Sequence, residues 1–543
     1  MVTHENKLSG PDSTISRGVH GLLPSMIVAL LLIAGTACSG ERTDFASIAP
    51  SDTLVYLESE NLGVALGAIG DSPELGRVVE EGPDFSPLSG LRAGIFVTAL
   101  DAAEDVVSDS GSELSLRPRF VAAVESDSWF WNPDSFLTET VGDFVSKSYG
   151  KDVKTEKSDE KDGTVILWKS SDGRSAFGAV RGSMVLFSND RDALQAVLAT
   201  RRGERDNISG NSALQRLRGA QGIASGYVSQ AGVIQLSSFV GISTALSTTD
   251  DDEGRSFIAR IVPDLVRANV KEILWTSSAT ESGITDRYEI VLADKVAEEM
   301  SVAAQSAQRN ADELLSLVPT SARTVTRYGI ASPSVAWSAL VRNLSESTDI
   351  LNGTVLTRAA DGVFAPYGVA SAGVLTTEVD GSVITLSLDD SGEQVVALFR
   401  ARDTQSLRRT IVADFSKPAV STGGFSLWMS DDGDFGYAER AGLVVVGESE
   451  AVQTVLSQSR SGEGLSKSPL FRDFIASKGL SVTVGRDAES VEQMIKALSL
   501  KGDKPAGSVD YLVSTEFNTR GMVRTTVSSF GLVGSLLSQF SAR

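Results

Sequence analysis

Two stretches of this chain, 260 positions apart (428 − 168), read as copies of one another, and a chain that repeats itself is constrained to fold as related units. Ile166-Leu-Trp-Lys-Ser-Ser-Asp-Gly173 aligns with Ser426-Leu-Trp-Met-Ser-Asp-Asp-Gly433. Continued without a gap to Ser188, seven of 23 positions are identical: Leu167, Trp168, Ser170, Asp172, Gly173, Gly182 and Val185 match their partners. Ala193-Leu-Gln-Ala-Val-Leu198 then matches Ala451-Val-Gln-Thr-Val-Leu456, and Ser212 to Leu217 resembles Ser468 to Asp473. Ile48-Ala-Pro50 opens the first half as Leu317-Val-Pro319 opens the second. Ile273 to Gly283 lines up with Tyr511 to Gly521. The blocks keep their order, so the expectation is an ancient internal duplication with units at 45–310 and 311–543. At 543 residues the chain is also too long for one ordinary core.

Each half mixes two hydrophobic periods. Gly94 to Leu100, Phe120 to Val124, Met184 to Phe187 and Leu443 to Val446 read as strands. Asp-Gly pairs at 162–163, 172–173, 361–362, 380–381 and 432–433 suggest hairpin turns. Asp190 or Asp192 can cap a helix whose Leu194, Val197 and Leu198 share a face, and Val491, Met494, Ile495 and Leu498 form a second apolar stripe. Hairpins with segregated helices predict an α+β fold of two tandem related domains, each an antiparallel sheet with packed helices. A long helix joining the halves is expected along Val296, Met300, Ala303, Ala307, Ala311 and Leu314, stopped by Pro319. Residues 104–115, 151–163 and 247–255 read as exposed loops.

Charge and residue inventory exclude whole classes of chemistry. A net charge of −21 repels phosphate backbones, so no nucleic acid is expected as a partner. The lone cysteine, Cys38, directly follows the apolar run Met26 to Ala37, the arrangement of a secretory signal over 1–37. Ala37 and Thr36 before the cysteine look like the lipobox of bacterial lipoproteins, with Gly35 where leucine is usual. That resemblance implies acylation of the Cys38 thiol and a membrane partner through the lipidated N-terminus; the alternative is a short uncleaved anchor. Ser39 after the cysteine implies the outer membrane facing the periplasm, with the cell surface as alternative. Both histidines, His4 and His20, precede Cys38, so the processed chain would hold none. Histidine triads, Cys-His pairs and His/Cys zinc sites are then excluded, and no catalytic residue, cofactor or metal is assigned.

Several features carry a functional and a plain reading. Trp168 and Trp428 could be stacking platforms, or aromatics on the buried face of a hairpin. Asp250-Asp-Asp-Glu253 could bind a hard cation but lacks the ligand alternation of a calcium loop; Asp389-Asp390 and Asp431-Asp-Gly-Asp434 read as turns. Ser158-Asp-Glu-Lys161 fits a Ser-x-x-Lys spacing within a charged stretch. The apolar segment Phe530 to Phe540 could touch a membrane or dock as a helix.

Ala49-Pro-Ser-Asp-Thr-Leu-Val-Tyr56 and Val185-Leu-Phe-Ser-Asn-Asp-Arg-Asp-Ala-Leu194 resemble blocks of a broad family of uncharacterised bacterial envelope proteins, classed as a domain of unknown function. The resemblance spans most of residues 45–490. It implies a duplicated α+β domain exported on a lipid or membrane anchor, and carries over no active site. The expected role is non-enzymatic binding or scaffolding of an envelope protein partner. The alternatives are an envelope hydrolase using carboxylates and a carrier of an apolar ligand. Converging carboxylates would favour the first alternative, a large apolar cavity the second, and an exposed apolar patch the binding role.

Overall fold

The computed structural model describes residues 42–539, apart from 80–82, 109–110, 129, 151, 161–162, 219–221, 249–251, 310, 370, 412–419, 458–468, 488, 499 and 501–508. The first ten strands are β1 (Val55–Ser59), β2 (Leu91–Ser108), β3 (Gly111–Ser126), β4 (Lys154–Glu160), β5 (Gly163–Lys169), β6 (Ser175–Arg181), β7 (Met184–Ser188), β8 (Ala224–Val228), β9 (Val270–Thr280) and β10 (Gly283–Leu292). The next ten are β11 (Thr324–Tyr328), β12 (Val379–Ser387), β13 (Val395–Ala401), β14 (Val420–Thr422), β15 (Phe425–Met429), β16 (Phe435–Arg440), β17 (Leu443–Glu448), β18 (Ser481–Asp487), β19 (Val509–Asn518) and β20 (Gly521–Ser528).

The helices used below are α1 (Phe45–Ile48), α2 (Leu62–Gly70), α3 (Gly142–Tyr149), α4 (Arg191–Arg201), α5 (Ser212–Leu217), α6 (Gln230–Thr248), α7 (Asp252–Asn269), α8 (Asp294–Ala303) and α9 (Ala311–Leu315). They continue with α10 (Pro333–Glu346), α11 (Ile350–Asp361), α12 (Ala372–Glu378), α13 (Thr404–Ile411), α14 (Ser449–Ser457), α15 (Pro469–Ala476), α16 (Ser490–Ala497) and α17 (Gly531–Gln539).

All strand pairings are antiparallel, and the fold is α+β. Reading across the first half, the order is β4-β5-β6-β7-β3-β2-β1-β8-β9-β10. Across the second it is β14-β15-β16-β17-β13-β12-β11-β18-β19-β20, the same order with every strand index raised by ten. The two sets meet where β10 pairs with β20, Ile284 opposite Ser528 through Val291 opposite Gly521, so one sheet of twenty strands runs through both.

Helices cover both faces because both faces of most strands are apolar. In the first half, Met184 and Leu186 pack on Leu194, Val197 and Leu198 of α4. Val185 and Phe187 face the other way, toward Phe144 and Val145 of α3. Asp190 caps α4 as expected, its Oδ1 accepting from the Ala193 N–H at 2.8 Å. The second half repeats this: Leu443 and Val445 pack on Val452 of α14, while Val444 and Val446 face Phe399 and Leu407.

The halves also exchange helices across the seam. After β10, α8 packs on β19 and β20 of the second half. After β20, α17 packs on β10 of the first. Phe530, Leu537 and Val491 and Met494 of α16 share one core with Leu66 and Ile69 of α2. The apolar C-terminal segment is therefore a docked helix, inserted into a core that both halves build.

Several expectations are corrected. The predicted joining helix is broken: α8 ends at Ala303, Ser306 bridges to Ile330, and α9 starts at Ala311. Residues 104–108 and 111–115 are not loop but the far part of the β2–β3 ribbon, and 154–160 form β4, paired with β5. Polar composition misleads there because a ribbon satisfies its backbone in its own ladder and needs no buried side chains. Asp361-Gly362 lies at the end of α11, and Gly381 (φ +94°) sits at a bulge in β12, so neither is a hairpin turn.

The gapless alignment of the halves also fails by one residue. Two-residue turns join Arg181 to Met184 and Arg440 to Leu443, so counterparts beyond them are 259 apart (443 − 184). The first turn has positive φ at Gly182 only, whereas Ala441 (φ +49°) and Gly442 (φ +85°) both do. These are type II′ and type I′ arrangements, with glycine at different places. Matching glycine to glycine would slip the register and turn Met184 to the wrong face.

Candidate functional site

The largest concentration of buried charge lies at one end of β1, β2 and β3. Strand alternation brings Tyr56 and Glu58 of β1 to the same side, and Arg92 enters from β2 two residues before Gly94, which pairs with Glu58. The Arg92 guanidinium donates through Nε to Glu60 Oε2 at 2.8 Å and through Nη1 to the Thr43 carbonyl at 2.9 Å and Glu125 Oε2 at 3.4 Å. Nη2 donates to Glu58 Oε1 at 3.1 Å and Glu60 Oε1 at 3.2 Å. Phe45 of α1 stacks under the guanidinium at 4.8 Å.

Glu125 in turn accepts from the Thr43 N–H (3.0 Å), the Thr43 hydroxyl (3.1 Å) and the Ser183 hydroxyl (2.7 Å). The Tyr56 hydroxyl donates to Glu58 Oε2 at 2.5 Å. Burial is the main cause that lifts the Glu58 carboxyl above the ordinary carboxylate range; Arg92 opposes it and Glu60 adds to it. Tyr56 is likewise raised, by burial and then by Glu58. A cavity of about 140 Å³ adjoins the cluster, lined by Tyr56, Glu58, Glu60, Leu214 and Arg218.

Carboxylates do converge here, but each of Glu58, Glu60 and Glu125 is held by the same guanidinium, whose N–H groups are all spent on the protein itself. The cluster therefore fastens residues 43–45 to the sheet. Next to it, Asp44 caps α1 and pairs with Arg218 at 2.5 Å, and Arg42 pairs with Asp127. Among the described residues the second half has no copy of it. The fourth residue of β11, where β1 has Glu58, is Arg327, buried against the Phe474 ring with its guanidinium on backbone carbonyls of Ile475 and Ser477. Nothing in the sequence marks Arg92 beyond a cation inside an apolar strand, since its three partners come from β1, the residue beyond it, and β3.

The other surface feature is apolar. Val302, Val335, Leu340, Ile350, Val355 and Val363 are exposed and lie within residues 302–363, on and around α8, α10 and α11. Val302 is 67% and Val335 55% exposed, large values for such side chains. Between α8 and α10 runs a groove of about 700 Å³ with Ala303 and Ala339 in its floor and Lys295, Glu299 and Arg342 on its rim. On the other side of α10 a groove of about 910 Å³ is lined by Trp337, Val341, Val374 and Thr410; the two share Ser338 and Arg342.

The residues singled out from sequence are scattered. Cys38, Asp250, Asp251 and Lys161 lie outside the described residues, and Ser158 sits on β4 opposite Val165. Trp168 is a core residue, 3% exposed, packed near Phe187. Trp428 lies on the same side of its sheet but one pleat displaced: it faces Tyr437, whose counterpart is Gly178, whereas Trp168 faces Ala176. Arg408 stacks on Trp428 at 4.5 Å. Asp389 and Asp432 are turn residues, accepting from the Gly392 and Asp434 N–H groups at 3.1 Å each. Among the described residues there is no group of three or more His, Cys, Asp or Glu placed to hold a metal, and no helix long and apolar enough to cross a membrane.

No family model and no curated protein matches the chain. Solved structures that resemble it include crystal forms of TP0453, a Treponema protein. Form III is 9% identical, covering 43% of this chain and 100% of its own at a TM-score of 0.22. Form I is 10% identical, covering 42% and 98% at 0.21. A likeness at this level carries no functional argument.

Proposed function

We propose that the chain is an exported envelope protein, tethered by acylation at Cys38, that binds an amphipathic helix of a partner protein along α10. The tether reading rests on the apolar run before Cys38, and Ser39 supports the periplasmic face of the outer membrane as its place. The observation that carries the binding role is the groove between α8 and α10, whose lining includes the exposed Val302 and Val335. A groove between helices with alanine in its floor lets a third helix approach closely, and its apolar face would cover what α8 and α10 leave open. The rim, with Lys295 and Arg342 beside Glu298 and Glu299, suits a helix of mixed charge rather than an acidic or basic one. The carboxylate cluster favours the hydrolase reading less, because Arg92 already holds each of its acids.

The test is in-cell crosslinking with purification of wild type, Val335→Asp, Cys38→Ala and, as a surface control, Val420→Asp. A stoichiometric partner recovered from wild type and Val420→Asp, and lost from Val335→Asp, is the expected result. Loss from Cys38→Ala as well would show that the tether places the groove. A partner retained by Val335→Asp, or no partner from any strain, refutes the binding role.

A further inference from the structure

We propose that one end of the first half, the turn carrying Phe130 beside the Arg42–Asp127 ion pair, lies against a lipid bilayer; this rests on acylation of Cys38. The argument is one of reach. Three residues lie between Cys38 and Arg42, and an extended chain spans at most ~3.6 Å per step, so over four steps the Arg42 Cα lies within ~14 Å of the Cα that carries the acylated sulfur.

Arg42 is no free tail. Its Nε donates to Asp127 Oδ2 at 3.1 Å, and one residue later Thr43 is fastened through its N–H, hydroxyl and carbonyl to Glu125 and Arg92. The tether thus ends on a rigid part of the sheet, and this end of β2 and β3 cannot move away from the membrane surface. The whole ~14 Å is comparable to the headgroup layer together with the first shell of water.

What stands at that end fits a lipid surface. Directly after Asp127 the chain turns, with the Trp131 N–H donating to the Ser128 carbonyl at 3.0 Å and the Phe130 N–H to the Ser128 hydroxyl at 3.3 Å. The turn buries Trp131, whose indole N–H donates to the Ser183 carbonyl at 2.5 Å, and leaves Phe130 56% exposed. An exposed phenyl on a braced turn is suited to the boundary of headgroups and acyl chains. Asp127, three residues before Phe130, is neutralised by Arg42, which lowers its carboxyl below the usual range chiefly through their hydrogen bond.

The experiment uses the acylated chain purified from membranes, with acylation verified by mass spectrometry. In that protein the Cys38 sulfur is consumed by the lipid, so Phe130→Cys and Val420→Cys each supply the single free thiol for an environment-sensitive fluorophore. Val420 is an exposed residue of β14, fifteen strands away from β3 in the sheet order and roughly 70 Å along it at ~4.8 Å per strand. Each protein is reconstituted on zwitterionic phosphatidylcholine vesicles with and without doxyl-labelled lipid. The expected result is a blue shift and loss of emission by doxyl lipid at position 130, with neither at 420. Acylated protein that floats with the vesicles but shows no quenching at 130, or equal quenching at both positions, overturns the docking while leaving the tether standing. A chain of unacylated mass that fails to float overturns the tether itself, and the docking with it.

Discussion

Asp286 holds the seam of the sheet, and replacing it tests how the two halves are joined. It is 1% exposed, on β10 opposite Thr526 of β20. Its Oδ1 accepts from the Trp275 indole N–H at 2.9 Å, and its Oδ2 from the Leu532 N–H at 2.6 Å. Leu532 is the second residue of α17, so a carboxylate from the first half satisfies the N-terminus of a helix that follows the last strand of the second. Gly531 makes the approach possible: its φ is +61°, and a Cβ there would come within 2.8 Å of Asp286 Oδ2.

Asp286→Ala strands two buried donors at ~1–3 kcal/mol each, so ~2–6 kcal/mol in all. Asp286→Asn keeps one acceptor and costs ~1–3 kcal/mol. Urea unfolding followed by circular dichroism gives the totals, and hydrogen exchange over 531–539 locates the loss, since α17 should open first. The order of stability is wild type, Asn, Ala. An alanine variant within ~0.5 kcal/mol of wild type, the range of an ordinary surface change, with unchanged exchange in α17 would refute the reasoning.

The pH dependence gives an independent check. Burial, ahead of the hydrogen bonds that oppose it, raises the Asp286 carboxyl above its ordinary value. The folded state then holds the proton more tightly than the unfolded chain. This contribution is complete below the free carboxyl value of ~3.9 and is lost as pH rises through the raised one. The advantage of wild type over Asp286→Asn should therefore be greatest near pH 4 and narrow upward.

Two further substitutions test the first half. Arg92→Met leaves Glu58 and Glu125 buried without a cation and should cost ~3–5 kcal/mol in urea unfolding; because Glu58 is already raised by burial, the loss should deepen as pH rises, and equal loss at pH 4 and pH 8 would contradict this. Gly178→Ala places a Cβ 2.6 Å from Leu137 Cδ1 and 2.7 Å from the Trp168 ring, an overpacking worth ~1–3 kcal/mol by thermal or urea unfolding; a neutral result would mean that the indole is free to move.

Much of the architecture was legible in the chain. The unbroken apolar run Leu443 to Val446 and the Asp190 cap ahead of Leu194 are local signals, and strand, cap and helix appear where they say. The paired blocks around Trp168 and Trp428 pointed to related halves, and the halves do share one strand order. Local signals stop at register. Gly182 and Gly442 look equivalent in sequence, yet they occupy different positions of their turns, and only the opposed cores on α4 and α14 show which alignment keeps the side chains on their faces.

The candidate surfaces were beyond the sequence for a related reason. Glu58, Arg92 and Glu125 come from three strands, and any one of them alone reads as a solvated charge. The exposed residues from Val302 to Val363 look like ordinary core positions of amphipathic helices until the packing leaves them uncovered. The sequence by itself determined many of the strands and helices, the paired blocks around Trp168 and Trp428, the absence of histidine after Cys38 and the length of chain between Cys38 and the sheet. Only the tertiary structure decided that β10 pairs with β20, that α8 and α17 cross between the halves, and that Thr43 is fastened to a buried ion cluster. The physical reason is range: periodicity, caps and turns act over a few residues, whereas seams, clusters and exposed faces depend on which distant segments the fold brings into contact.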